Sequence, residues 1–119
     1  MFGFSSKLRY FLCCRPVDMR NGFDGLAGIV RNYLAKDPIS GDVFVFLNKL
    51  RTHIKLLYWD GDGFVLYYKR LEKGRYKTHR AVCDLSHELK REELMMLLEG
   101  LSFDKMKKSK RFKIDQKIG

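Results

Sequence analysis

Residues 55–74 read KLLYWDGDGFVLYYKRLEKG and predict a β-hairpin. Residues 54–59 and 64–69 are rich in apolar and aromatic side chains that alternate along the chain, which is the pattern of two β-strands. Between them, Asp60-Gly61-Asp62-Gly63 supplies residues that adopt a positive φ at low cost, as tight hairpin turns require. Neither strand has a polar face before its outer end, so we expect both faces of the sheet to be covered. The second strand continues into Lys69 and Arg70, which places positive charge at one end of the hairpin.

The rest of the chain predicts a single α+β domain over residues 1–102, followed by a basic, flexible C-terminal tail over residues 103–119. Strands are predicted over residues 8–14, 43–47 and, more weakly, 75–82, and residues 84–88 read as a turn or cap. Apolar spacing predicts helices over residues 21–35 and 90–99. Because consecutive short-linked strands pair antiparallel, we expect an antiparallel sheet of four to five strands with two helices packed on it. The expected core includes Phe23, Leu26, Val30, Phe44, Phe46, Leu56, Tyr58, Phe64 and Leu66.

The first predicted helix carries three glycines, Gly22, Gly25 and Gly28. Each one weakens a helix by up to about 1 kcal/mol relative to alanine. We therefore expect the glycines to permit close approach to the sheet; the alternative is close approach to a nucleic-acid backbone.

Net charge is the most informative global property of this 119-residue chain. The formal charge is +10, and two short segments supply all of the excess. Residues 69–80 contain six Lys or Arg against Glu72, and residues 103–119 contain seven against Asp104 and Asp115. Such a balance favours polyanionic partners, which include nucleic acid, an anionic membrane surface or an acidic protein.

Aromatic residues interleaved with the first basic segment indicate a nucleic-acid-binding surface. Cations neutralise phosphates and aromatic rings can stack on bases; the rings concerned are Tyr67, Tyr68, Tyr76 and His79. We expect a fixed basic face made by Lys69, Arg70, Lys73, Arg75, Lys77 and Arg80. A flexible second arm would consist of Lys105, Lys107, Lys108, Lys110 and Arg111. The alternative is that the tyrosines belong to the core, the cations of residues 69–80 protect an edge strand from aggregation, and the basic tail only aids solubility.

Residues capable of catalysis or metal binding form no convincing constellation. Asp60 and Asp62 resemble the start of a calcium loop, but position 12, where an EF-hand requires glutamate, is Leu71. His79, Cys83 and His87 have a spacing that would suit zinc only on a continuous helix, which this segment does not predict. We therefore expect a protein without catalytic residues, cofactor or metal. A small metal-dependent nuclease that uses Asp60 and Asp62 is the less favoured alternative.

The three cysteines, Cys13, Cys14 and Cys83, are odd in number and two are adjacent, which argues against a disulfide framework. We expect reduced thiols in a cytoplasmic protein. The apolar run after Lys7 and Arg9 is too short for a signal peptide, and no run approaches the length of a membrane span.

Several short signatures together resemble one family of small proteins. They are Asp18-Met19-Arg20, Gly22-Phe23-Asp24-Gly25-Leu26, Asp37-Pro38, Ser40-Gly41, Phe44-Val45-Phe46, Asn48, Lys55, Leu57-Tyr58-Trp59-Asp60-Gly61, Gly63-Phe64, Tyr68-Lys69-Arg70-Leu71-Glu72 and Gly74. The chain resembles the TnpB-type accessory protein made by the second reading frame of insertion sequences of the IS66 group, which is distinct from the RNA-guided nuclease also called TnpB. The resemblance covers residues 10–101, and the run over residues 57–71 is highly specific. The chain departs from the family pattern in two places: residues 48–53 contain no glycine, and no Trp or Pro follows Gly74.

The resemblance implies an accessory role in transposition, beside a separate transposase that performs the strand chemistry. It provides no catalytic residues. Its implied partners are DNA at the transposon ends and the transposase or other proteins of the element, and an adaptor that binds only protein is the alternative.

Overall fold

The computed structural model describes residues 7–78 and 85–99. These residues contain β1 (Tyr10–Cys13), α1 (Phe23–Asn32), β2 (Val43–Leu47), β3 (His53–Trp59), β4 (Phe64–Arg70), β5 (Ser86–Leu89) and α2 (Arg91–Leu98). The strands form one five-stranded sheet in the order β4-β3-β2-β1-β5. The predicted α+β class is confirmed, and the strands over residues 43–47, 54–59 and 64–69 lie where the sequence placed them.

The sheet is mixed, which corrects the expectation of a purely antiparallel one. β1 and β2 pair in parallel, with Tyr10 opposite Val43, whereas the other three pairs are antiparallel. A parallel pair needs a long crossover, and α1 provides it. The helix spans Phe23–Asn32 and is therefore shorter at both ends than the predicted range of residues 21–35.

The fifth strand lies later in the chain than predicted. Residues 75–78 form no strand, and residues 79–82 are outside the described residues. β5 occupies Ser86–Leu89 and overlaps the segment 84–88, which the sequence predicts to be a turn or cap. β5 contains only one buried apolar residue, Leu89, because it is an edge strand that pairs with β1 alone. Four residues with one apolar side chain give no detectable period.

The sheet carries a core on each face. On the α1 face, Phe44, Phe46 and Leu57 pack with Leu26 and Val30. The core on the α2 face is formed by Tyr10, Leu12, Val43, Val45, Leu47, Ile54, Leu56, Tyr58, Tyr76, Leu89, Leu94, Leu97 and Leu98. Both faces of β2 and most of β3 are covered, which confirms the expectation for the first strand of the hairpin. The expectation is wrong for the second strand, because β4 has no fully buried residue and Tyr68 and Arg70 are exposed.

Three of the predicted core residues are less buried than expected. Phe23 is 47% exposed although it shares the apolar stripe of Leu26, Ala27 and Val30; it is the first residue of α1. Phe64 and Leu66 are half-buried and pack at the margin of the α1-side core. Their strand, β4, is the last of the sheet, so its outer side is not covered by a neighbouring strand among the described residues.

The helix glycines do not serve close approach to the sheet, so that prediction is wrong. A Cβ atom added at Gly22 or Gly28 would meet no atom within 4 Å, and one added at Gly25 would meet only the side chain of Asn21. The glycines instead leave a bare outer surface on α1.

The hairpin turn has the geometry that its sequence predicts. The Asp60 amide donates to the Gly63 carbonyl at 3.0 Å, and Gly61 has a φ of +103°. Glycine adopts such a positive φ at low cost, which is why tight hairpin turns favour it.

The cysteines differ from one another. Cys13 is free and buried in β1, and burial raises the pKa of its thiol. Cys14 is disulfide-bonded, so the expectation of three reduced thiols is wrong at this residue. Cys83 lies outside the described residues. No helix within residues 7–78 and 85–99 is long and apolar enough to cross a membrane.

Candidate nucleic-acid interface

Strand direction brings three segments to the same end of the sheet. β1 and β2 both finish there, β3 begins there, and β4 finishes there. Backbone hydrogen bonds join the segments: the Val17 amide donates to the Leu47 carbonyl at 2.9 Å, and the Leu71 amide donates to the Thr52 carbonyl at 2.9 Å. Residues 15–20, 48–52 and 70–77 therefore lie side by side, and we refer to them as the basic end.

Charge is concentrated at the basic end. Its cations are Arg15, Arg20, Lys49, Arg51, Arg70, Lys73, Arg75 and Lys77, against the carboxylates Asp18 and Glu72, which gives a net charge of +6. At the opposite end of strands β1–β4, the three segments 7–9, 36–42 and 60–63 hold Lys7, Arg9 and Lys36 against Asp37, Asp42, Asp60 and Asp62, a net charge of −1. The positive N-terminus of α1 also lies at the basic end, because the short segment 14–22 joins it to the end of β1.

The segment after β4 is fixed to the sheet by Tyr76. This side chain is fully buried, its amide donates to the Arg51 carbonyl at 2.6 Å, and its hydroxyl donates to the Lys69 carbonyl at 3.4 Å. Burial raises the pKa of Tyr76 to about 12. The neighbouring Gly74 has a φ of +77°, which lets the chain turn back toward the sheet. Exposed cations on either side of Tyr76, at positions 73, 75 and 77, are thus presented from an anchored segment.

Lys69 and Arg70 do not share a face. Side chains alternate along β4, so Lys69 points to the α2 side, where its ammonium donates to the Leu98 carbonyl at 3.0 Å. Arg70 points to the α1 side and pairs with Glu72 at 3.1 Å, with both side chains largely exposed. Arg80 and the predicted tail residues Lys105, Lys107, Lys108, Lys110 and Arg111 lie outside the described residues.

Only one of the tyrosines proposed for stacking is available on the surface. Tyr76 is buried and Tyr67 packs against the α2-side core, so the core alternative applies to both. Tyr68 is 53% exposed on the α1 side. Its ring lies 4.6 Å from the Lys55 ammonium and 5.9 Å from the His53 ring. His79 lies outside the described residues.

Four cations of the basic end were not singled out from the sequence: Arg15, Arg20, Lys49 and Arg51. They belong to the part of the chain whose charges sum to zero, so the distribution along the chain gave no signal. The predicted pairing of β3 with β4 is enough to place Lys49 and Arg51 beside the end of β4. Placing Arg15 and Arg20 requires the parallel pairing of β1 with β2.

The turn that carries Lys49 and Arg51 is closed without glycine. The Asn48 carboxamide oxygen accepts the amides of Thr52 at 2.9 Å and His53 at 3.0 Å. Arg51 takes the positive φ, +58°, that a glycine would otherwise adopt. Asparagine hydrogen bonding to the backbone therefore compensates for the missing glycine.

The loop before α1 is held by charged side chains. Asp18 accepts the Arg20 amide at 2.8 Å and the Arg20 guanidinium at 2.8 Å. These hydrogen bonds from Arg20 lower the pKa of Asp18 to about 2. Lys55, which is 5% exposed, donates to the carbonyls of Met19 at 2.7 Å and Asn21 at 2.8 Å. These contacts hold the loop before α1, and with it this part of the basic end, in one conformation.

The carboxylates considered for catalysis lie far from the basic end. Asp60 and Asp62 are exposed in the β3–β4 turn, at the opposite end of the sheet. Across residues 7–78 and 85–99, no group of three or more His, Cys, Asp or Glu side chains could hold a metal ion.

Comparison with known proteins identifies the family. A family model described as IS66 Orf2 like protein matches residues 8–108. The chain belongs to the IS66 Orf2-like family. It is 37% identical to the uncharacterized protein y4jC of Sinorhizobium fredii (strain NBRC 101917 / NGR234) over 108 residues, which cover 91% of this chain and 92% of that protein. It is 36% identical to the uncharacterized protein y4hO of the same strain over 70 residues, which cover 59% of this chain and 61% of that protein. No solved structure matches the chain.

Membership in the IS66 Orf2-like family confirms the predicted resemblance and supports an accessory role in the movement of an insertion sequence.

Proposed function

We propose that this IS66 Orf2-like protein binds the phosphate backbone of nucleic acid through its basic end and does so without catalysis. The DNA of the insertion-sequence ends is the expected target. The observation that supports the proposal most directly is the convergence of three separate segments into one surface of charge +6.

The physical basis is the release of counterions from the polyanion. Each cation that neutralises a phosphate contributes to affinity, and cations on a fixed surface lose less conformational entropy on binding than cations on a loose chain. Tyr76 and the Asn48 carboxamide fix the segments that carry Lys49, Arg51 and Arg75. Exposed Tyr68 lies at the edge of this surface and offers a ring for stacking.

Fluorescence anisotropy with a duplex of the insertion-sequence end tests the proposal. Lys49→Gln with Arg75→Gln removes two cations from the basic end, and we expect at least about tenfold weaker binding at low salt. Arg31→Gln with Lys90→Gln removes the same charge from exposed positions at the opposite end and should leave binding within about twofold. Circular dichroism checks that both variants remain folded.

Equal effects of the two variants would show that net charge alone drives binding, and no binding at low salt would exclude nucleic acid. In the second case, a transposase pull-down that survives nuclease and high salt would favour the adaptor alternative. Cleavage of DNA with magnesium that is lost on Asp60→Ala would support the nuclease alternative instead.

A further inference from the structure

Among residues 7–78 and 85–99, no strand pairs with the long outer edge of β4. β4 is the last strand in the sheet order. The register with β3, together with the Asp60–Gly63 and Leu71–Thr52 hydrogen bonds, shows which backbone groups are already paired. Alternate residues of an antiparallel strand point their amide and carbonyl groups to opposite sides. The residues whose groups point outward are Phe64, Leu66, Tyr68 and Arg70.

The β4 sequence itself contains none of the usual protections against strand pairing before its last two residues. Residues 64–68 read FVLYY, with no proline and no charge, and the cations Lys69 and Arg70 lie only at its end. The register with β3 is continuous from Phe64 to Arg70, so β4 contains no bulge. Tyr68 is 53% exposed, and Phe64 and Leu66 are half-buried. Natural proteins protect or shorten such edges unless another strand pairs with them.

We propose that two copies of this chain pair their β4 strands antiparallel, about a two-fold axis at Leu66. Each outward amide and carbonyl of one β4 then meets a partner on the other. Leu66 lies opposite Leu66 of the second copy, and Phe64 lies opposite Tyr68. Beyond these, Asp62 of each copy lies opposite Arg70 of the other, so two ion pairs flank the apolar centre.

Charge favours this register over the two-fold registers that are moved toward Arg70. An axis at Val65 would also pair Asp60 with Arg70 but would place Asp62 opposite Tyr68, so the Asp60→Arg variant distinguishes that register from the one proposed. Moving the axis by one residue, to Tyr67, places Asp62 opposite Glu72, and two carboxylates then repel each other. Moving it by two residues, to Tyr68, places Arg70 opposite the apolar Leu66. Like charges directly opposite each other on paired strands are destabilising, and opposite charges are favourable. The axis at Leu66 pairs the charges and also matches apolar with apolar.

Sedimentation velocity of the full-length chain over a concentration series, without nucleic acid, tests the proposal. We expect a monomer–dimer equilibrium. In a symmetric dimer, Asp62→Arg or Arg70→Asp turns both ion pairs into pairs of like charge. Each variant should therefore raise the dimer dissociation constant about tenfold or more. The double variant Asp62→Arg with Arg70→Asp restores both ion pairs and should return the constant to within about threefold of the wild-type value.

Asp60→Arg is the matched control, because it makes the same charge change two residues away and should not weaken the dimer. Amide hydrogen exchange gives a second readout: the outward amides of Leu66 and Tyr68 should be protected in the dimer and exchange faster on dilution. A chain that is monomeric at every concentration would overturn the proposal, as would a dimer that is insensitive to both single variants. Failure of the double variant to rescue would overturn the register. None of these results depends on nucleic-acid binding.

Discussion

At the scale of single residues, Lys55 is an unusual side chain. It is the buried charged residue of the region that the structure describes, and its ammonium faces two carbonyls and a tyrosine ring. Its backbone belongs to β3, whereas both carbonyls belong to the loop before α1. Lys55 therefore fastens the α1 layer to the sheet at the basic end.

Replacing Lys55 should destabilise the fold. Lys55→Met keeps the length of the side chain but leaves the Met19 and Asn21 carbonyls without their donor, and we expect the free energy of unfolding to fall by about 2 kcal/mol. Urea denaturation measures the change. Lys36→Met is the control, because the Lys36 ammonium contacts the Phe11 ring at 4.0 Å on a less buried site, and it should cost under about 1 kcal/mol. An unchanged stability in Lys55→Met would show that the cost of burying the ammonium cancels its hydrogen bonds.

Asp18 gives a prediction about pH. Its pKa is lowered from 3.8 to about 2 in the folded protein, mainly by hydrogen bonds from Arg20. A carboxyl with a depressed folded pKa stabilises the fold above its unfolded pKa, and that contribution is lost as pH falls through about 2. The carboxyl carbon resonance of Asp18 should therefore titrate near pH 2. Arg20→Gln should return the midpoint toward 3.8, and a midpoint near 3.8 in the wild-type protein would contradict the pairing.

At the scale of elements, Lys69 links β4 to α2. Its ammonium meets the carbonyl of Leu98, the last residue of the helix, where the helix dipole is negative. Lys69→Met should lower the free energy of unfolding by about 1 kcal/mol and leave nucleic-acid affinity within about twofold. Thermal denaturation and anisotropy on the same sample separate the two effects. If Lys69→Met instead weakened nucleic-acid binding strongly without changing stability, Lys69 would belong to the binding surface, as its position in the sequence predicts.

The elements show which parts of the fold could be read from the sequence. β2, β3 and β4 were predictable because each is a run of alternating or continuous apolar residues bounded by Asp-Gly or Asn-containing turns. β5 was not, because an edge strand with one buried residue leaves no pattern. The expected close approach of the α1 glycines to the sheet is wrong because Gly25 and Gly28 lie off the stripe of Leu26, Ala27 and Val30 that faces the sheet. Helical spacing alone already indicates this placement.

The basic surface was predictable only in part, for a related reason. Charge density along the chain revealed the cations at positions 70, 73, 75 and 77, which lie close together in sequence. Lys49 and Arg51 join them only through the pairing of β3 with β4, and Arg15 through the pairing of β1 with β2. Which cations cluster in space depends on how the strands are ordered in the sheet, and the amino-acid composition carries no information about that order.

At the scale of the whole described structure, the loops at the two ends of β1–β4 differ in charge. The basic end carries +6, and the opposite ends of β1–β4 carry −1. An approaching polyanion is therefore attracted to one end and repelled weakly by the other, which orients the encounter before contact. This orientation explains why residues from three segments, rather than one basic stretch, should determine affinity.

Salt dependence is the measurement that counts these contacts. If the basic end neutralises about five phosphates of a duplex, the slope of log K against log salt should be roughly −4 to −5. Lys49→Gln removes one contact from a position that the sequence did not single out, so the slope should become less steep by about 0.9, equally for all sequences, because phosphate contacts carry no base information. Arg31→Gln, at the other end, should leave the slope unchanged. If Lys49→Gln instead changed the preference among sequences at a constant slope, this residue would read bases rather than phosphates.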